Sequence, residues 1–176
     1  MRKVTFSCAT SLDNYIARQD GSYDWIMHSE EAMEIMKEYW PKIGTMIMGR
    51  KTWDIAQQVS GRSKNPHGGI ETYVFSKTVE SGGRDGVTFL NSDPGDFVHA
   101  LKQADGKDIF IMSGGSLARS LLEADVIDEI GLNIHPILLG SGAPLFYEMK
   151  KQIELEMIDC RSFKNGCVYV KYRVKN

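Results

Sequence analysis

The stretch that decides the fold is Asp108-Ile-Phe-Ile-Met-Ser-Gly-Gly-Ser-Leu-Ala-Arg-Ser-Leu-Leu122. Ile109 to Met112 is a short apolar run of the kind that fills a strand covered on both faces. Beyond it, Leu117, Leu121 and Leu122 recur at helical spacing, and Ser116 is placed to cap that helix. Gly114 and Gly115 lie between. A strand that stops at paired glycines and re-enters as a helix aims backbone N–H groups and a positive dipole end at one spot, which suits a phosphate. Missing Cβ atoms also let a ligand approach the backbone closely. On this reading Gly115→Val fills the cradle and leaves the protein folded. The same residues also read as a plain strand-to-helix turn, and the rest of the chain decides between the two.

Downstream, Val126 to Ile134 reads as a strand and Pro136 to Gly142 as a bend. Two last strands, about 153–163 and 167–174, meet at Asn165-Gly166 in a C-terminal antiparallel hairpin. With a two-residue loop there, Cys160 falls opposite Lys171.

Upstream, residues 3–9 alternate as a first strand, followed by turns at Asp13-Asn14 and Asp20-Gly21. Ser29 caps a helix from Glu30 to Tyr39, with Ala32, Met33, Ile35, Met36 and Tyr39 inward and Pro41 ending it. Thr45–Met48 is a strand, and a helix opens at Gly49 and reaches about Val59. Residues 60–69 form a loop, Glu71–Phe75 a strand, 82–86 a glycine-rich turn, Val87–Leu90 a strand and Phe97–Gln103 a helix. The expected fold is one α/β domain over residues 1–176. Its central sheet is mostly parallel, with helices on both faces and an antiparallel hairpin at the C-terminus.

Composition excludes several classes. At 42% hydrophobic and 25% charged residues, the 176-residue chain is an ordinary globular one. A formal charge of −2 gives no basic field, so nucleic acid is not the expected partner. No apolar run is long enough for a membrane span or a signal peptide, and the expected location is the cytoplasm. The three cysteines, Cys8, Cys160 and Cys167, include no Cys-x-x-Cys and read as free structural thiols. The four histidines have no carboxylate or cysteine at ligand spacing, so no metal is expected. His135 either lines a pocket or is structural. Trp25, Trp40 and Trp53 either stack on a ligand or pack in the core.

Two further strand ends carry anion-friendly groups. Met48-Gly-Arg-Lys-Thr-Trp53 places two cations and a hydroxyl at a helix N-terminus, where they oppose the macrodipole unless an anion lies there. Phe75-Ser-Lys77 ends another strand with a hydroxyl and an ammonium. Ligands of parallel sheets gather at strand carboxyl ends, and three such ends suit a ligand with several phosphates. Neither the Gly-x-Gly-x-x-Gly fingerprint nor a P-loop is present.

Taken together, Ser11-Leu-Asp-Asn-Tyr-Ile-Ala17, Met48–Trp53, Val74-Phe-Ser-Lys77, Ser113-Gly-Gly-Ser116, and Asp128-Glu129 followed by Pro136-Ile-Leu-Leu-Gly-Ser-Gly142 resemble the dihydrofolate reductase-like superfamily. The closest likeness is to its branch containing the reductase domain of the bifunctional riboflavin-biosynthesis deaminase/reductase. The resemblance spans nearly the whole chain in order. It implies NADPH, with Gly49, Arg50, Lys51 and Thr52 on cofactor phosphates and Ser76 and Lys77 on the ribose 2′-phosphate. Ser113, Gly114, Gly115, Ser116 and Leu117 would cradle the pyrophosphate, and the backbone of Ala9 and Ile16 would meet the nicotinamide carboxamide. It also implies a homodimer and a small pteridine-like, pyrimidine-like or ribosylamino-type substrate. The family's helix carboxylate has no counterpart at its usual separation before Gly49, where Met33 stands. Glu30 and Asp13 are the candidates for the substrate-side acid, although acids in a first helical turn also serve the dipole. A catalytically inactive nucleotide-binding module with the same fold is the rival expectation.

Overall fold

The computed structural model describes residues 1–59 and 69–175; most of the expected 60–69 loop lies outside them. In chain order the elements are β1 (Val4–Ser11), β2 (Tyr15–Ala17), α1 (Glu30–Tyr39), β3 (Ile43–Gly49), α2 (Arg50–Val59), β4 (Glu71–Phe75), β5 (Gly82–Arg84), β6 (Val87–Leu90), α3 (Pro94–Gln103), β7 (Asp108–Ile111), α4 (Gly115–Glu123), β8 (Glu129–His135), β9 (Ala143–Pro144), β10 (Leu155–Ser162) and β11 (Val168–Val174). A nine-stranded sheet has the order β10-β11-β8-β1-β7-β3-β4-β6-β5, and β2 and β9 form a separate small sheet. The pairs β1–β7, β1–β8, β3–β7, β3–β4 and β4–β6 are parallel. Antiparallel strands close both edges, β5 on one side and the β10–β11 hairpin on the other. This is the dihydrofolate reductase-like α/β architecture.

Strand alternation assigns the two faces. Val4, Phe6, Ile47, Ile109 and Ile111 point to the side covered by Val98 of α3 and Ala118, Leu121 and Leu122 of α4. Met46, Met48, Val74 and Phe110 point to the other side, where Trp53 of α2 and Met36 and Tyr39 of α1 cover them. Helices therefore lie on both faces. Each buried leucine or isoleucine withdrawn from water contributes roughly 1.5–3 kcal/mol.

Side chains cap the N-termini of α1 and α3. The Ala32 N–H donates to Ser29 Oγ at 3.1 Å, and the Asp96 N–H donates to Asp93 Oδ1 at 3.0 Å. Asp93 followed by Pro94 starts α3 three residues earlier than Phe97. Helix α4 starts at Gly115 with Gly114 as its cap and no side-chain capping bond. Ser116 is an exposed residue inside the helix and not its cap.

Three other expectations are corrected, and one strand pairing is new. Met33 is 61% exposed, because α1 buries Ile35 against the sheet and turns Met33 away. Part of the glycine-rich 82–86 turn is an edge strand. The pairing of β2 with β9 was not anticipated. In the hairpin, Phe163 donates to the Cys167 carbonyl, so the loop holds three residues and Gly166 takes φ +87°. Cys160 therefore faces Val170, and Lys171 faces Asp159. All three cysteines are free.

Candidate active-site crevice

Along the carboxyl ends of β1, β3, β4 and β7 runs a crevice of about 1760 Å³. Strand–helix connections converge there because every parallel strand must leave the sheet at the same edge. The crevice brings together Ala9, Ile16, Gly49, Arg50, Lys51, Thr52, Ser76, Lys77 and the whole run Ser113–Leu117. These residues come from four separate parts of the chain.

The glycines at these corners serve the protein before any ligand. A Cβ on Gly49 would approach Ser113 Oγ at 3.0 Å, and one on Gly114 would approach Ile16 Cδ1 at 3.0 Å. A Cβ on Gly115 would run into the Leu145 carbonyl oxygen and come within 2.8 Å of the Pro144 oxygen. Gly115 thus lets the α4 N-terminus close onto β9. The expectation that Gly115→Val blocks a ligand in an otherwise intact fold is corrected, since the added side chain points into backbone. The Gly49 N–H donates to Ser113 Oγ at 3.1 Å, tying the ends of β3 and β7 together.

Ser76 Oγ accepts from the N–H groups of Thr78 and Val79, at 3.3 and 3.1 Å, and folds the loop after β4. Its own proton remains to be given to Thr78 Oγ1 or to a ligand. Arg50 is held by Asp54 at 2.7 Å and lies 5.7 Å from the Phe89 ring centre. Among the described residues, Lys51 and Lys77 have no carboxylate partner, and both face the crevice. Uncapped N–H groups at α4 beside two unpaired ammonium groups fit a ligand with phosphates.

The opposite end of the crevice is different in kind. Its walls are Ala32, Ile35, Met36 and Tyr39 of α1, with Phe110, Met112, Phe163 and Tyr169. Ser7 and Asn133 supply polarity from β1 and β8. The hydroxyls of Tyr39 and Tyr169 lie 3.2 Å apart. Burial raises the pKa of both phenols and keeps them protonated.

Neither Glu30 nor Asp13 lines this chamber. Glu30 is exposed in the first turn of α1. Asp13 accepts from Ser11 Oγ at 2.6 Å and from the N–H groups of Leu139 and Gly140 at 3.1 and 2.7 Å. These bonds, that from Ser11 first, hold its carboxyl below the usual range. Its observed contacts strap the loop after β1 to the bend after β8. Asn14 beside it takes φ +64°, the turn conformation asparagine tolerates.

Sequence reading missed Asn133, Ser7 and Tyr169. The available signal was the polar alternation Glu129, Gly131, Asn133, His135 along β8, which marks one face of the strand. His135 is wholly buried behind the chamber, with Trp25 edge-on at 5.3 Å between ring centres.

A family model described as "RibD C-terminal domain" matches residues 2–169. The chain belongs to the RibD C-terminal domain family. The Bacillus subtilis (strain 168) protein YyaP is 31% identical over 180 residues, covering 97% of this chain and 94% of that one. A putative riboflavin biosynthesis protein from Shewanella sp. PV-4 has a crystal structure with a TM-score of 0.84 and 26% identity, each chain fully covered. Dihydrofolate reductase from Enterococcus faecalis, solved in complex with NADP(H) and RAB-propyl, shares the fold at a TM-score of 0.68 and 16% identity, over 99% of this chain and 97% of that one. Among the described residues no group of three or more His, Cys, Asp or Glu side chains is placed to hold a metal. No helix among them is long and apolar enough to cross a membrane.

Proposed function

We propose that this RibD-type domain is an NADPH-dependent reductase of a small pteridine-like, pyrimidine-like or ribosylamino-type molecule. The observation that carries the reading is one continuous crevice joining unpaired cations and a helix N-terminus to an uncharged aromatic chamber. Bound there, NADPH supplies the hydride. Gly49 to Thr52 and Ser113 to Leu117 would hold its phosphates. Lys77 and Ser76 would meet a ribose 2′-phosphate, with Lys51 adding charge nearby. Ala9 and Ile16 border the chamber where the nicotinamide would end. The aromatic and aliphatic walls exclude water and hold a flat ring against the cofactor.

Fluorescence tests the reading directly, because Trp53 lies one residue beyond Thr52. NADPH is expected to quench tryptophan emission and to bind more tightly than NADH. An unchanged spectrum, with no heat of binding in calorimetry, refutes cofactor binding and leaves a purely structural protein.

A second reading, a nucleotide-binding module without turnover, is favoured by the absence of a carboxylate from the chamber wall among the described residues. NADPH that binds but stays unoxidised across a panel of pteridines and pyrimidines supports it. The proposal includes a homodimer. Edge strand β10 leaves Leu155 and Met157 exposed at 40% and 60%, and sedimentation measures the mass.

A further inference from the structure

Strand β1 lies between β7 and β8, and Thr5, Ser7 and Ala9 share its face toward α1, the face that Phe110 takes on β7. A hydroxyl in the middle of a sheet normally finds a protein acceptor, because burying it unpaired is costly. Thr5 does so, with Glu129 at 3.4 Å. Ser7 does not: among the described residues its Oγ has no hydrogen-bond partner. Nor is it a dry orphan. The buried side-chain nitrogens and oxygens without a partner are Trp25 Nε1, Asn133 Oδ1 and Asn165 Nδ2, so the Ser7 hydroxyl is open to solvent. With strands on both sides of it, Ser7 is still partly exposed, and it lines the crevice. A ligand in the chamber can therefore reach it.

Two more hydroxyls gather beside it. Ser7 is directly opposite Gly131 of β8. A Cβ on Gly131 would stand 2.9 Å from the Tyr169 hydroxyl oxygen and 3.3 Å from Ser7 Oγ, so the missing side chain lets the phenol cross from β11 toward Ser7. From α1 the Tyr39 hydroxyl meets that of Tyr169 at 3.2 Å. Each hydroxyl has one proton. One is used between the two phenols; the other phenol's proton and that of Ser7 remain to be given. The charges around this cluster are already committed. Glu129 is held by Lys3 at 2.8 Å and Lys171 at 2.5 Å, and Asp159 by Arg161 at 2.9 Å. Neither carboxylate lines the crevice. The Lys171 ammonium lies 4.9 Å from the centre of the Tyr39 ring. The inner end of the chamber thus offers hydroxyl donors with a cation behind them and no carboxylate facing it.

We infer that Ser7 and the Tyr39–Tyr169 pair form a subsite for the carbonyl edge of a neutral substrate ring, with Ser7 and one phenol each giving it a hydrogen bond. Ser7 is the specificity-determining residue, because its hydroxyl is reachable and has no other partner. A ring bearing a positive charge meets Lys171 and no free carboxylate there. The inference rests on the reductase reading for the presence of a ring substrate, and on the hydroxyl geometry for the subsite.

The test uses the full chain, with and without NADPH, and two probes. Lumazine, a pteridine dione, presents ring carbonyls; 2,4-diaminopteridine presents amino groups and takes up a proton readily. Calorimetry should show lumazine binding about tenfold more tightly. Ser7→Ala breaks no bond within the protein, so the fold is kept, and lumazine affinity should fall about fivefold to tenfold, the worth of one hydrogen bond. Replacing both phenols, Tyr39→Phe with Tyr169→Phe, keeps their shapes and orphans neither partner. Whichever phenol holds the spare proton is then gone, and a similar loss is expected. The infrared carbonyl band of bound lumazine should move to higher frequency in Ser7→Ala, a change that a merely structural serine would not produce. Equal or tighter binding of the diamine, undiminished lumazine affinity in Ser7→Ala, an unmoved carbonyl band, or no binding of lumazine overturns the proposal. If NADPH fails to bind while lumazine binding depends on Ser7, the reductase reading falls and the subsite stands. If NADPH binds and lumazine ignores Ser7, only the subsite falls.

Discussion

At one end of the crevice the inward groups are backbone N–H groups of α4 and the ammonium groups of Lys51 and Lys77. At the other they are phenols, an amide, a serine and hydrocarbon. The first end is made by topology: any parallel sheet delivers strand ends and helix N-termini to one edge, and glycines allow the corners to close. The second is made by side-chain choice on α1, β8 and β11, and its chemistry could change without altering the fold. Backbone placement therefore sets the chemistry of the first end, and side-chain identity sets that of the second.

The largest way to break this comparison is Gly115→Val. Its side chain would enter the space of the Leu145 and Pro144 carbonyls, so the loss appears in folding. Overpacking of this kind costs about 1–3 kcal/mol and more when the obstacle is backbone. Denaturant unfolding is expected to show about 3 kcal/mol or more of destabilisation. A variant of full stability that only fails to bind NADPH would restore the cradle role that the geometry removes.

Why some of this was legible in sequence and some was not follows from the same division. The run 108–122 was readable because an apolar strand, two glycines and a leucine-spaced helix are all local signals. Strands β2 and β9, of three and two residues, are too short to show any period. Ser116 was misplaced because capping depends on where the backbone leaves the extended region, and that is Gly114 at φ −81° and ψ 174°. Asp13 and Glu30 have suitable chemistry, but direction is a tertiary property. Asp13 is claimed by N–H groups 126 and 127 residues away, which no local pattern reveals. Asn133 drew no notice because its place in the chamber depends on β1 and β11 pairing on either side of it.

A smaller effect sharpens the charged end. Lys51→Ala with Lys77→Ala removes two cations that no described carboxylate holds, so the folded protein loses no ion pair. Each charge-assisted contact to phosphate contributes roughly 1.5–3 kcal/mol when formed. Affinity for NADPH is expected to fall by about tenfold or more, with NADH changed less. Equal losses for the two cofactors, measured by calorimetry, would remove the 2′-phosphate from this end of the crevice.

The smallest effect is expected at Met33, and it separates the two sides of α1. Its neighbours Ala32, Ile35 and Met36 face the chamber, and Ile35 is 5% exposed where Met33 is 61% exposed. A polar replacement at Met33 gives up little buried area and leaves no cavity. Met33→Gln also suits a helix interior, since both side chains are unbranched and good helix formers. Unfolding free energy should therefore change by less than about 0.5 kcal/mol. Binding of NADPH and of a small pteridine such as lumazine should be unchanged, because Met33 does not line the crevice. A loss of ring binding in Met33→Gln, with stability intact, would mean that α1 rotates or shifts when a ligand enters. The position matching the family's carboxylate would then belong to the chamber after all.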